Sequence, residues 1–136
     1  MNQATLTALS PLDGRYAGRL QSLAAIMSEF GYMRRRVQVE LTWLLALGRS
    51  DLPGCPLLSG SAQAAALSLL EGFSVEDAGA IKDIERRTNH DVKAVEYFIK
   101  EKIAAFEELH DVTEFVHFAC TSEDINNLCH ALMLRD

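Results

Sequence analysis

The chain is short of basic charge, of long apolar runs and of cysteine, and each shortage excludes something. Its 136 residues carry 19 acidic against 13 basic side chains, a formal charge of −6. It therefore lacks the basic excess of a nucleic-acid surface. An anionic small molecule stays open, because a few arginines and helix N-termini make a local positive pocket. No apolar run approaches the ~20 residues that span a bilayer. The stretch "MNQATLTALSPLDGRY" has no basic region followed by an apolar core, so neither a membrane segment nor a secretory signal is expected. Three cysteines (Cys55, Cys120, Cys129) form an odd set without an export signal, which points to a reduced, cytoplasmic compartment.

Apolar–polar alternation of the kind that marks a strand is also missing, as are repeats and low-complexity tracts. With 49% hydrophobic and 24% charged residues, the composition is that of a globular protein, and the expected fold is all-α. Gly and Pro gather in "SPLDGRYAG" (10–18) and "DLPGCPLLSG" (51–60), which read as loops. Between and after them the periodicity is helical. Ser28 to Leu47 sets Met33, Val37, Leu41, Leu44 and Leu45 on one stripe, with Arg34, Arg35 and Arg36 coming round the turn. Residues 61–70 are Ala/Leu-rich. Ser74 with Asp77 three residues on resembles a capping box. After Asp91 a stripe of Val92, Val95, Ile99 and Ile103 predicts a helix, with Glu96 and Lys100 paired on its outside. After a short "HDVTEFVHFA" segment, Thr121 or Ser122 opens a last helix, with Glu123 and Asp124 in its positive first turn. That pattern runs out at Asp136 with no Gly, Asn or Pro to end it, and is read as a helix cut from something longer.

Three polar stations stand out, and each has a plain structural reading beside a chemical one. In "TNHD" (88–91) Asp91 makes a good N-cap, and Asn89 and Asp91 could simply end one helix and start the next. His90, however, sits where a helix mouth attracts anions and where an imidazole can donate or move a proton. In "SPLDGRY", Arg15 and Tyr16 follow a turn and are either solvated cover or a bidentate anion clamp with a second hydrogen-bonding group. In "FACTSEDINN", Thr121 and Ser122 offer hydroxyls and N–H groups to an anion or merely cap. His117, Cys120, Cys129 and His130 have zinc-ligand chemistry. But adjacent helical positions 129 and 130 point about 100° apart, and no knuckle glycine is present, so no metal is expected.

Taken in order, "LTALSPLDGRY", "IKDIERRTNHDVKAVEYFIKEK" and "LHDVTEFVHFACTSEDINNLCHALML" resemble the adenylosuccinate lyases, bacterial type, of the fumarase/aspartase superfamily. The resemblance covers nearly the whole chain and is weakest over 48–75. It implies a helical N-terminal domain over 1–111 and, over 112–136, the truncated start of a long-helix bundle domain. It implies elimination of fumarate from adenylosuccinate and from SAICAR, the succinyl-carboxamide ribonucleotide of purine synthesis. The substrate-binding positions would be Arg15, Tyr16, Asn89, His90, Asp91, Thr121 and Ser122. It implies no cofactor, no metal, no nucleic-acid or membrane partner, and a full-length homotetramer whose active sites are shared between subunits. The family's general acid, in a Thr-His station, and general base, in a Ser-Ser-x-Met-Pro-x-Lys-x-Asn loop, have no counterpart here, so the catalytic pair is expected beyond residue 136. The alternatives are a lyase for another succinyl-amine substrate, such as argininosuccinate, or a non-catalytic helical interaction module.

Overall fold

The computed structural model describes residues 3–136; Met1 and Asn2, with which the reading of the N-terminus begins, lie outside the described residues. Among the described residues seven α-helices follow one another: α1 (Gln3–Leu6), α2 (Gln21–Met27), α3 (Glu29–Leu47), α4 (Gly60–Glu71), α5 (Val75–Thr88), α6 (Asp91–Ile103) and α7 (Ser122–Arg135). Two 3-10 stretches, Ala17–Arg19 and Glu107–Phe115, join them, and there is no strand among the described residues. None of the described helices is long and apolar enough to cross a membrane.

α3 is the axis of the molecule. It packs against α2, α4, α5, α6, α7 and the second 3-10 stretch. Its stripe is buried as the periodicity predicts: Met33, Val37, Leu41, Leu44 and Leu45 join Val95, Ile99 and Ile103 of α6 in one core. Each such side chain, taken fully from water, contributes roughly 1.5–3 kcal/mol before entropy is counted. Phe73, in the turn before α5, stacks on Phe30 at 5.6 Å between centroids and meets Phe98 edge-on at 6.0 Å. This aromatic group ties α3 to α6. A second, smaller cluster of Val39, Val92, Ile125 and Cys129 joins α3, α6 and α7.

The helix starts follow local chemistry. Ser28 accepts from the Gly31 N–H at 3.2 Å, and Ser59 from Ala62 at 3.1 Å. Ser74 and Asp77 exchange hydrogen bonds across the first turn of α5, at 3.3 Å and 3.0 Å. Gly31 has a further reason to be glycine: a Cβ there would lie 2.3 Å from the Ile26 carbonyl oxygen, where α2 turns into α3.

Two expectations about charge placement need correction. Glu96 is not on the outside of α6; it is 6% exposed and shared between Lys93 at 2.7 Å and Lys100 at 3.3 Å. Burial pushes its carboxyl up, but the two ammonium groups outweigh that and hold it below the usual carboxylate range. Arg36 does not come round the turn; it is 4% exposed, while Arg34 and Arg35 beside it are half-buried.

Candidate functional site

The junction between α5 and α6 is only two residues long. α5 ends on Asn89 in the left-handed region, φ 52° and ψ 34°, with its N–H donated to Glu85 O at 2.7 Å. Asparagine is one of the few side-chain-bearing residues that adopt this conformation readily. Thr88 Oγ1 lies within hydrogen-bonding distance of both the Ile84 and the His90 carbonyls, at 3.2 and 3.3 Å.

The expectation that Asp91 caps α6 is corrected here. His90 is the N-cap, with extended φ −150° and ψ 114°, and its Nδ1 accepts from the Lys93 N–H at 3.1 Å. Asp91 already has helical backbone, and its carboxylate is drawn elsewhere. Oδ1 accepts from the Val92 N–H at 2.9 Å, and Oδ2 meets the Arg36 guanidinium at 2.5 Å. Burial raises the Asp91 carboxyl, yet the Val92 amide and Arg36 together bring it below its ordinary value. The cap also settles the histidine tautomer. A neutral ring that accepts at Nδ1 carries its proton on Nε2, so the half-exposed imidazole presents a donor away from the helix.

The start of α7 is a reciprocal cap. Thr121 Oγ1 accepts from the Glu123 N–H at 3.2 Å, and the Asp124 carboxylate accepts from the Thr121 N–H at 2.7 Å. Ser122, half-buried beside it, makes no hydrogen bond through its hydroxyl among the described residues. The two hydroxyls are thereby separated: one is occupied by the helix and one is available.

The segment entering that cap is strained. His117 and Ala119 adopt φ 63° and 58° without being glycine, at a cost of roughly 1–2 kcal/mol each. Two side chains of α3 hold it. Glu40 Oε1 and His117 Nδ1 meet at 2.6 Å, and Trp43 Nε1 donates to Phe118 O at 2.8 Å. Glu40 is fully buried, and its Oε2 has no partner among the described residues. Burial drives its carboxyl above the ordinary glutamate value, more than the His117 hydrogen bond and charge pull it down.

Arg15 and Tyr16 lie in the exposed turn between α1 and the first 3-10 stretch, the guanidinium 4.8 Å from the ring centroid. Among the described residues no hydrogen bond, ion pair or ring contact joins them to the other two stations. Those two are joined, through Arg36: it holds Asp91 at the head of α6 and, at 3.0 Å, Asn126 Oδ1 in the second turn of α7. A groove of about 510 Å³ beside them, between α3 and α7, is lined by Val39, Trp43, Ile125 and Leu128. Its lining is mostly apolar, with Gln38, Thr42 and Asp124 among it, and none of the seven sequence-derived site residues takes part in it.

The zinc-type side chains go to other tasks. His117 pairs with Glu40, His130 stacks on Tyr32 at 5.0 Å, and Cys129 is buried with Val39, Val92 and Ile125. Neither Arg36 nor Glu40 was expected to support the site, although a signal existed. They stand four apart among Met33, Val37 and Leu41, so two opposite charges interrupt the side of α3 that the stripe marks as buried.

The sequence profile of a family described as lyase matches residues 14–136. The chain is 54% identical over 136 residues to the adenylosuccinate lyase of Escherichia coli strain K12, covering 99% of this chain and 30% of that protein. It is 58% identical over 135 residues to the adenylosuccinate lyase of Haemophilus influenzae, covering 98% and 30%. With that of Legionella pneumophila strain Corby the identity is 43%, covering 99% and 30%. The chain thus spans 30% of the length of these curated relatives. Since the profile covers most of the chain, the chain belongs to the lyase family.

Proposed function

We propose that these residues form a substrate-binding wall of a bacterial-type adenylosuccinate lyase, which eliminates fumarate from adenylosuccinate to give AMP and makes the matching cleavage of SAICAR. The observation that carries this reading is the 54–58% identity to two adenylosuccinate lyases over 98–99% of this chain. The substrates carry a phosphate and two carboxylates, so the wall must be rich in donors. Arg15 clamps one anionic group and Tyr16 adds a hydrogen bond. His90 donates through Nε2–H, Asn89 offers its amide from the left-handed turn, and Asp91 orients the groups around it. The hydroxyl and the amide of Ser122 at the head of α7 seat another anion, while Thr121 keeps that helix start in shape.

The elimination needs a general base, a general acid and stabilisation of a developing dianion. We assign the acid and the base to parts of the protein outside residues 1–136, and the wall described here to the third task. Proton transfer and charge stabilisation suffice, so no cofactor is required. Residues 1–111 then belong to a helical first domain, and 112–136 to the opening of a bundle domain. The complete protein is a cytoplasmic homotetramer with active sites shared between subunits.

Ultraviolet monitoring of both cleavages tests the reading. The complete protein should turn over adenylosuccinate and SAICAR at ordinary enzyme rates, ~1–1,000 per second, and the 136-residue chain only at background. A complete protein that leaves both substrates intact overturns the assignment. Turnover by the 136 residues overturns the placement of the acid and base.

A further inference from the structure

A guanidinium taken out of water needs acceptors in its own plane, and Arg36 finds them on two different helices. It is 4% exposed on α3. Its Nε donates to Asn126 Oδ1 on α7 at 3.0 Å, and a terminal nitrogen donates to Asp91 Oδ2 on α6 at 2.5 Å. Its guanidinium carbon lies 4.0 Å from the Tyr32 ring centroid, and Tyr32 in turn stacks on His130 of α7. Both acceptors belong to the helix starts described above. Asp91 directly follows the His90 cap. Asn126 stands one turn below Ser122 on the same face of α7, four residues on.

Only the arginine of this pair is buried, the Asp91 side chain being 47% exposed; desolvation of the guanidinium cancels much of the attraction, and what such a pair can add is a fixed geometry. The planar, forked donor set of arginine suits that task, and the point charge of lysine does not. We propose that Arg36 is a positioning residue of the substrate site: it sets the spacing and orientation of the α6 and α7 N-termini without touching substrate. This rests on the reading of those two helix starts as a substrate wall. The coupling itself, α7 to Arg36 to α6, is a property of the fold and can be tested without substrate.

Two variants of the complete protein decide it. Arg36→Lys keeps the charge and the stem but cannot hold both acceptors in one plane. It should lower kcat/KM for adenylosuccinate by roughly a hundredfold, the scale of an ångström misplacement in a site, with a raised KM. Loss of folded enzyme alone would lower apparent kcat and leave KM unchanged. Asn126→Ala cuts only the α7 arm; it should lower kcat/KM about tenfold, and little more when added to Arg36→Lys, since the connection is already broken. Hydrogen exchange gives the substrate-free readout. Asn126→Ala should speed exchange of the Lys93 amide in the first turn of α6, although residue 126 is on α7. If Arg36→Lys does not fold, Asn126→Ala decides through the same two readouts. Wild-type kinetics in both variants, or an unchanged Lys93 amide in Asn126→Ala, overturns the proposal. An inactive wild-type protein would instead strike the assigned reaction, and the exchange result would still judge the coupling.

Discussion

His90 caps α6 by accepting the Lys93 N–H on Nδ1 at 3.1 Å, so one imidazole both starts a helix and turns its remaining N–H outward. Substitution can separate the two roles. Asparagine is among the best N-caps, whereas alanine costs about 0.5–2 kcal/mol at such a position. His90→Asn should therefore keep the melting temperature within a few degrees, and His90→Ala should lower it. In the complete enzyme both should lose about 2–4 kcal/mol of transition-state binding, the range for a lost preorganised donor. Normal kcat/KM in His90→Asn would show that the histidine is only a cap.

Thr121 and Ser122 should behave differently from each other. Thr121→Ala removes a cap hydroxyl and should cost roughly 0.5–2 kcal/mol of stability. Ser122→Ala removes a hydroxyl with no partner in the fold. It should leave stability nearly unchanged and raise KM by the equivalent of roughly 1.5–3 kcal/mol, if that hydroxyl meets an anionic group. Thermal melts and steady-state kinetics on both variants check this. Equal losses of stability with normal KM would leave α7 with a plain cap.

The buried Glu40 carboxyl gives a pH dependence of definite sign. Burial raises it above the ordinary glutamate value despite His117, so the folded state holds this proton to higher pH than the unfolded chain does. Its contribution is complete below the unfolded value, ~4.3, and is lost as pH rises through the folded one. Glutamine cannot ionise and can still accept from His117. The stability of Glu40→Gln relative to wild type should therefore improve as pH rises above the unfolded value and level off once pH passes the folded one. Urea midpoints at a series of pH values measure it, and a difference that is flat or moves the other way refutes it.

At Gly31 two opposing effects can be weighed. Alanine in a helix interior gains roughly 0.5–1 kcal/mol over glycine. A Cβ here, however, would sit 2.3 Å from Ile26 O and 2.8 Å from Ala25 O, which are backbone atoms with little room to yield. Overpacking of this kind costs typically 1–3 kcal/mol. Gly31→Ala should be destabilising on balance, and a raised melting temperature would contradict the α2–α3 approach described above.

Cys129 is fully buried, and burial pushes its thiol up to about 12. A thiol reagent at pH 8 should therefore label it only as the protein unfolds, while Cys129→Ser should cost about 1–3 kcal/mol by burying a hydroxyl among apolar groups. Mass spectrometry of timed labelling gives the first result and denaturant melts the second. Rapid labelling of the folded protein would place Cys129 outside the core.

Helices α3 to α7 rest on local signals that the sequence alone shows, whereas α1 and α2 were not legible in it. A cap such as Ser74 with Asp77, or a stripe such as Val92, Val95, Ile99 and Ile103, acts over three or four residues, and that spacing is visible in the letters. The three polar stations were legible for the same reason, as helix starts and a turn. What each charge does was decided only by tertiary structure, because the partners lie far apart in sequence: Arg36 and Asp91 by 55 residues, Glu40 and His117 by 77, Arg36 and Asn126 by 90. The choice of His90 over Asp91 as the cap of α6 belongs to the same class. Locally the aspartate is the better candidate, but a buried arginine from another helix takes its carboxylate, and the neighbouring imidazole caps the helix instead.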